Sequence, residues 1–152
     1  PGDWTKGSSQ IFEKIHNGLK YYTSGRTGYV DVDDVAEALL QLFFSDVKNE
    51  RFIVNGENLK YRDCFDRIAE NLKTPKAIIK ITPFLKEIAW RLEAVRSFLS
   101  GKKPLLTKET ANSSMRTSKF SSAKIEKVIG FKFTDINTTI KKYSDWFIAD
   151  LM

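Results

Sequence analysis

Cysteine and histidine are nearly missing: Cys64 and His16 are the only ones among 152 residues. A lone cysteine cannot close an intrachain disulfide, so a reducing, cytoplasmic setting is expected. Zinc held by Cys and His needs several such ligands, and one of each is too few. No apolar run approaches the roughly 20 residues that cross a bilayer, and no charged-then-apolar signal segment opens the chain. A membrane partner is therefore not expected.

Nucleotide-binding motifs are absent too. No two of the eight glycines stand two residues apart, which removes the Gly-x-Gly-x-x-Gly turn that lets a backbone approach a pyrophosphate. Gly2 and Gly7 have the separation of a P-loop, but Ser8 follows where that loop needs Lys. The single imidazole, His16, has Glu13 and Lys14 as neighbours and reads as a surface or interface residue, so a Ser-His-Asp triad has no base.

Large side chains are plentiful: 11 Phe, 5 Tyr and 3 Trp in a chain that is 41% apolar. Each contributes roughly 1.5–3 kcal/mol when buried, enough for one globular domain over residues 1–152. The opening Pro1-Gly2-Asp3 has no capping or strand signal ahead of it and reads as a cut from a longer polypeptide. The net charge of +6 is uneven. Between Arg96 and Lys132 nine basic residues meet two acidic ones, so this stretch is +7 and the remainder −1. Lysines and arginines so grouped suit an anionic partner.

Helix and strand signals alternate in the first half. Ser8 or Ser9 can cap a helix carrying Ile11, Phe12, Ile15 and Leu19, with Gly18 at its end. Tyr29 to Val32 reads as extended, and Asp33 or Asp34 as the cap of a helix with Val35, Ala36, Leu39, Leu40, Leu42 and Phe43 on a broad apolar face. Carboxylates as close as Asp31, Asp33 and Asp34 can bind hard cations. A helix N-terminus explains them better, because backbone N–H groups and the helix dipole both favour acids there. Arg51–Val54 reads as a strand closed by Asn55-Gly56, and Tyr61 to Leu72 as a helix stopped before Pro75. Ala77–Ile81 is β-compatible.

Helix prevails afterwards. Pro83 suits the first turn of the longest helix, with Leu85, Ile88, Leu92, Val95 and Leu99 in line until Gly101. Ser121 or Ser122 opens a helix ending at Gly130, and Thr134 or Asp135 opens the last, which carries Ile136, Ile140, Tyr143 and Phe147. The total is about six helices and three or four short strands, too few strands for a complete doubly wound sheet.

Pro1-Gly2-Asp3, the run Gly28-Tyr29-Val30-Asp31-Val32-Asp33-Asp34-Val35-Ala36, Arg51 to Gly56, and Ser122-Ala123-Lys124-Ile125 through Phe131 occur in an order that resembles the C-terminal half of extended short-chain dehydrogenases/reductases. Gly18 to Val32 is similar to the NAD-dependent epimerase/dehydratase group nearest dihydroflavonol reductases. The resemblance implies an α/β fold: the helix-rich, substrate-binding C-terminal lobe of a Rossmann-type enzyme, with the dinucleotide-binding domain absent from this chain. It implies NAD or NADP as cofactor of the longer protein, none being expected on this piece, and a Tyr-x-x-x-Lys pair that moves the proton. None of the five tyrosines here has Lys four residues on, so the chain alone is expected to be inactive.

The loop of Gly2, Asp3 and Trp4, and the segment holding Tyr22, Arg26 and Tyr29, would then line the cleft for a small carbonyl or sugar-type substrate. No catalytic, cofactor or metal residue is assigned. Lys60 stands where many such proteins have a capping Thr, so Asn58 is the expected substitute cap. The absent Rossmann domain is the expected partner, and without it Leu39, Leu40 and Phe43 would be bare and would invite a homodimer. Alternatively, residues 96–132 form a basic module that binds protein or nucleic acid, a partner the resemblance does not favour.

Overall fold

The computed structural model describes residues 3–100 and 108–152. Gly2, Gly101, Lys102 and Lys103 lie outside the described residues, as do the side chains of Val95 and Leu99. Among the described residues the elements run α1 (Gln10–His16), β1 (Tyr21–Tyr22), β2 (Arg26–Tyr29), α2 (Val32–Phe43), β3 (Glu57–Lys60), α3 (Tyr61–Leu72), β4 (Ile79–Lys80), α4 (Pro83–Ser100), α5 (Lys108–Ser113), α6 (Ala123–Ile129) and α7 (Ile136–Leu151). The expected helices are present and α5 is added.

The strands depart from expectation. The extended segment before α2 is Arg26–Tyr29 rather than 29–32, because Asp31 is committed to capping the helix: its carboxylate accepts from the Asp33 N–H at 3.1 Å. Asp33 and Asp34 therefore do not cap. Arg51–Val54 forms no ladder; Phe52 and Val54 turn into the packing around Ala38, Ile125 and Phe131 instead. The strand that does pair is Glu57–Lys60, antiparallel to β2, with Arg26 opposite Lys60 and Tyr29 opposite Glu57. At Gly28 this ladder demands glycine, since a Cβ would stand 2.0 Å from Asn55 Oδ1. β1 and β4 make a separate parallel pair.

Caps follow the same logic of competition. Ser9 precedes α1, but its hydroxyl donates to the carbonyls of Asp3 and Lys6 and caps nothing. Lys60 precedes α3 without a side-chain cap, and Asn58 does not replace it: its amide donates to the Phe120 carbonyl and its Oδ1 accepts from the Phe120 N–H, both at 2.8 Å. Asp135 caps α7 through the N–H groups of Asn137 and Thr138. Gly130 ends α6 at φ 67°, and Lys73 ends α3 at φ 55°.

Two apolar clusters result. In the larger, Phe12 and Ile15 of α1 meet Ile68 and Leu72 of α3 and Ile136, Ile140 and Phe147 of α7. The smaller joins Ala38 of α2 to Ile125 and Phe131. Ala38 rather than Leu39 faces inward, so the expected apolar face of α2 is split: Leu39 is 62% exposed and Phe43 79%.

Asp31 joins α2 to α7. Its side chain is almost sealed, and Lys142 Nζ donates to it at 2.6 Å, Thr139 Oγ1 at 2.9 Å and the Tyr143 hydroxyl at 3.3 Å. Burial, the largest single influence, raises its pKa, but the Lys142, Asp33 and Thr139 donors together outweigh it and hold the carboxyl below its ordinary value. For Lys142 burial acts downward, and the bonds to Asp31 and Asp33 outweigh it and move the ammonium upward. Asp34 in turn accepts from the Thr134 N–H and hydroxyl at 2.8 and 2.7 Å, holding the approach to α7.

A depressed acid stabilises the fold above its unfolded pKa of about 4 and loses that contribution as pH falls through the folded value. A raised lysine contributes below about pH 10.4 and loses its share as pH rises past it. Asp31→Asn is expected to cost about 3 kcal/mol at pH 7 and to flatten the acid limb of stability, measured by urea unfolding across pH. Lys73→Gly is expected to add about 0.5–1 kcal/mol by relieving the left-handed backbone, read as a higher urea midpoint at unchanged slope.

Candidate functional site

Asp3 and Trp4 are fixed locally. Asp3 accepts from the Thr5 N–H at 2.9 Å and pairs with Lys6 at 3.1 Å. The Thr5 hydroxyl, then its N–H, then Lys6 hold the Asp3 carboxyl below its usual range. Trp4 clamps the chain start onto α7: its indole N–H donates to Asp150 at 2.7 Å, and its ring stands edge-on to Phe12 and Phe147 at 5.6 and 5.2 Å.

Trp4 and Tyr29 come together on the wall of a half-open cavity of about 310 Å³, with Cys64, Ile68, Thr139 and Tyr143 among the other lining residues. The strand β2 delivers Tyr29, α3 delivers Cys64, and α7 delivers Thr139 and Tyr143. Its polar groups are mostly occupied. Thr139 and Tyr143 donate to Asp31, and Tyr29 and Cys64 line the same wall. Burial drives the Tyr29 hydroxyl far above its usual range, and burial likewise moves the Cys64 thiol up to about 11. The cavity is thus an apolar, ring-lined recess without an acid or base poised near neutrality.

Tyr22 and Arg26 lie elsewhere. Arg26 starts β2 and Tyr29 ends it, about 10 Å along the strand. The Arg26 N–H donates to the Arg116 carbonyl and its own carbonyl accepts from the Ser118 N–H, so residues 116–118 run beside it. Gly25 permits this, since a Cβ there would meet the Ser114 carbonyl at 2.3 Å. The Tyr22 hydroxyl accepts from Arg62, whose guanidinium lies 4.7 Å over the Tyr22 ring. Among the described residues Arg26 has no ion-pair partner and faces Lys60 across the ladder, an arrangement of like charges that an anion would relieve.

The six sequence candidates therefore divide: Trp4 and Tyr29 on the cavity, Tyr22 against Arg62, Arg26 beside residues 116–118, Asp3 in its own turn, and Gly2 outside the described residues. Cys64, Tyr143, Arg62 and Arg116 join them only through the fold. No spacing in the sequence relates residues that lie 35 to 139 positions apart.

Among the described residues no group of three or more His, Cys, Asp or Glu could hold a metal. A dinucleotide does not fit these residues either. β3 runs directly into α3 with no glycine, β4 reaches α4 through Ile81-Thr82-Pro83, and β2 meets α2 at Asp31, a buried carboxylate where a pyrophosphate would need N–H groups. No hydride step is assigned to this chain.

The Cys64 environment is open to measurement. The native protein is expected to leave Cys64 unmodified by a thiol-specific disulfide reagent at pH 8 for as long as it stays folded, with one equivalent reacting on unfolding. Fast labelling of the folded chain would contradict its burial.

No family model matches the chain, and no curated protein matches it. Solved structures do. The chain is 22% identical to the protein gox2253 with a TM-score of 0.72, covering 99% of this chain and 46% of that one. It is 21% identical to a nucleoside-diphosphate-sugar epimerase from Pseudomonas aeruginosa, with a TM-score of 0.70 and coverage of 97% and 44%. A UDP-glucose 4-epimerase from Thermotoga maritima, solved with UDP-glucose, aligns at 17% identity and TM-score 0.65, over 95% of this chain and 40% of its own. The chain thus spans less than half the length of the structures it matches. Over nearly all its residues it has the fold of the helix-rich C-terminal lobe of epimerases and related short-chain dehydrogenases/reductases.

Proposed function

We propose that this chain is the substrate-binding lobe of a nicotinamide-dependent oxidoreductase or epimerase acting on a small carbonyl or sugar-type substrate. The observation that carries this reading is the coverage: nearly all of this chain against 40–46% of its structural neighbours. A dinucleotide-binding domain would supply the glycine turn, the Tyr-x-x-x-Lys pair and NAD or NADP, and hydride chemistry would come from that cofactor.

The exposed side of α2 supports such a partner. Leu39, Leu40, Phe43 and Phe44 are open to solvent, and a sheet laid across them would bury apolar area at roughly 25 cal/mol per Å². Lacking that sheet, the isolated chain would pair with a second copy through the same face. Substrate contacts fall to Asp3, Trp4, Tyr22, Arg26 and Tyr29. Arg26, unpaired and fixed by its backbone bonds, would take an anionic part of the substrate, while Trp4 and Tyr29 shape the apolar side. Residues 96–132 gain no support as a separate binding module from Lys124, which is already paired with Glu50 and bonded to the Arg51 carbonyl.

The test is the protein encoded by the complete reading frame around this sequence. It is expected to carry the glycine turn and Tyr-x-x-x-Lys upstream and to bind NAD(H) or NADP(H). Arg26→Ala is expected to raise KM about tenfold with kcat little changed, as for the loss of one charge-assisted hydrogen bond. A dinucleotide bound by the 152 residues alone, or a frame with no such domain, would end this reading. In the isolated chain, Leu39→Glu with Phe43→Glu is expected to convert a dimer to a monomer in sedimentation velocity.

A further inference from the structure

Two helices leave apolar faces bare, and their charges differ. Between Val32 and Val47, around α2, stand Asp33, Asp34, Glu37 and Asp46 and no lysine or arginine. Between Lys73 and Lys103, around α4, stand eight basic residues and two acidic ones, leaving 17 of each sign elsewhere. That segment alone therefore equals the entire +6 of the chain.

On α4 the open residues fall in one stripe. Phe84, Ile88 and Leu92 recur at four-residue steps with Leu85 beside them; Phe84 is 76% exposed and Leu92 65%. Ile78 and Ile79, in the lead-in and β4, are open as well, and Ile78 is 81% exposed. Trp90 is on the same helix, with the Arg91 guanidinium 4.9 Å over its ring. Eighteen residues make a helix about 27 Å long. A helix also satisfies its own backbone bonds and can leave water without a protein neighbour.

An apolar stripe opened by Phe84, in a segment with a basic excess and too polar to span, is the composition of a helix that lies in the plane of a bilayer surface. Among the described residues no helix is long and apolar enough to cross a membrane, so the contact would be superficial. We infer that α4, with its lead-in from Ile78, docks on an anionic lipid surface. The stripe enters the acyl boundary, and the exposed Lys73 and Lys80 meet acidic headgroups. This departs from the expectation of no membrane partner, which concerned spanning segments, and it does not depend on the proposed enzymatic role.

The test is flotation of the 152-residue protein with vesicles of phosphatidylcholine alone or with about one-third phosphatidylserine. Binding is expected to be at least about tenfold tighter with phosphatidylserine and to weaken in high salt. Phe84→Glu with Leu92→Glu should lower it by about tenfold or more at unchanged circular dichroism, while Leu39→Glu with Phe43→Glu on α2 should leave it intact. Lys80→Glu, at an exposed position outside the helix, should weaken it without touching the stripe. No flotation, equal binding to both vesicle types, equal loss from the α2 variant, or an α4 variant that changes only the oligomeric state would overturn the inference, the last in favour of a second protein copy.

Discussion

Burying the carboxylate of Asp31 is unfavourable until four donors converge on it, and three of the four come from α7, more than a hundred residues away. An ionised group sealed from water without partners would cost several kcal/mol. The start of α2 therefore meets α7 at one point, where Thr139, Lys142 and Tyr143 reach Asp31. Along its length α7 is seated on α3. Once α7 is placed, Ile136, Ile140 and Phe147 close the larger cluster against α1 and α3, and Trp4 finds Asp150. Asp34 secures the approach to the same helix through Thr134.

That constraint also positions the candidate site. Asp31 lies two residues beyond Tyr29, so capping α2 ends the strand and turns the Tyr29 ring into the recess beside Cys64. Tyr143, held by Asp31, forms part of the same wall. Stability and site geometry thus share residues, and the polar groups of the cavity are largely spent on internal bonds. What remains for a ligand on that side is shape and apolar surface, whereas charge is offered about 10 Å away at Arg26.

Much of the helical plan was legible because its signals are local. Three- and four-residue spacing marked α2, α3, α4 and α7, Asp135 marked the start of α7, and Gly130 the end of α6. Strands were harder to read. Arg51–Val54 has better strand composition than Glu57–Lys60, yet the latter pairs, because Gly28 and Asn55 fit together only in that alignment and Phe52 and Val54 have a cluster to fill. Asn58 resembled a cap by position, but Phe120, 62 residues on, offered both a donor and an acceptor. The site candidates were legible as types and not as neighbours. Trp4 and Tyr29 meet, while Tyr22 stands against Arg62, which no pattern singled out, and Arg26 runs beside Arg116 of the basic stretch.

The amino-acid order by itself determined where helices form, which ends carry acids or glycine, and that no dinucleotide turn is present, since each of these depends on residues within a few positions of one another. Only tertiary structure decided which carboxylate caps α2, which side of α2 is covered, which extended run becomes a strand, and which side chains share a cavity. Those outcomes depend on energies that do not exist until distant segments meet: a buried charge finding its ammonium, a glycine admitting a neighbour's amide, and an apolar face left bare when nothing arrives to cover it.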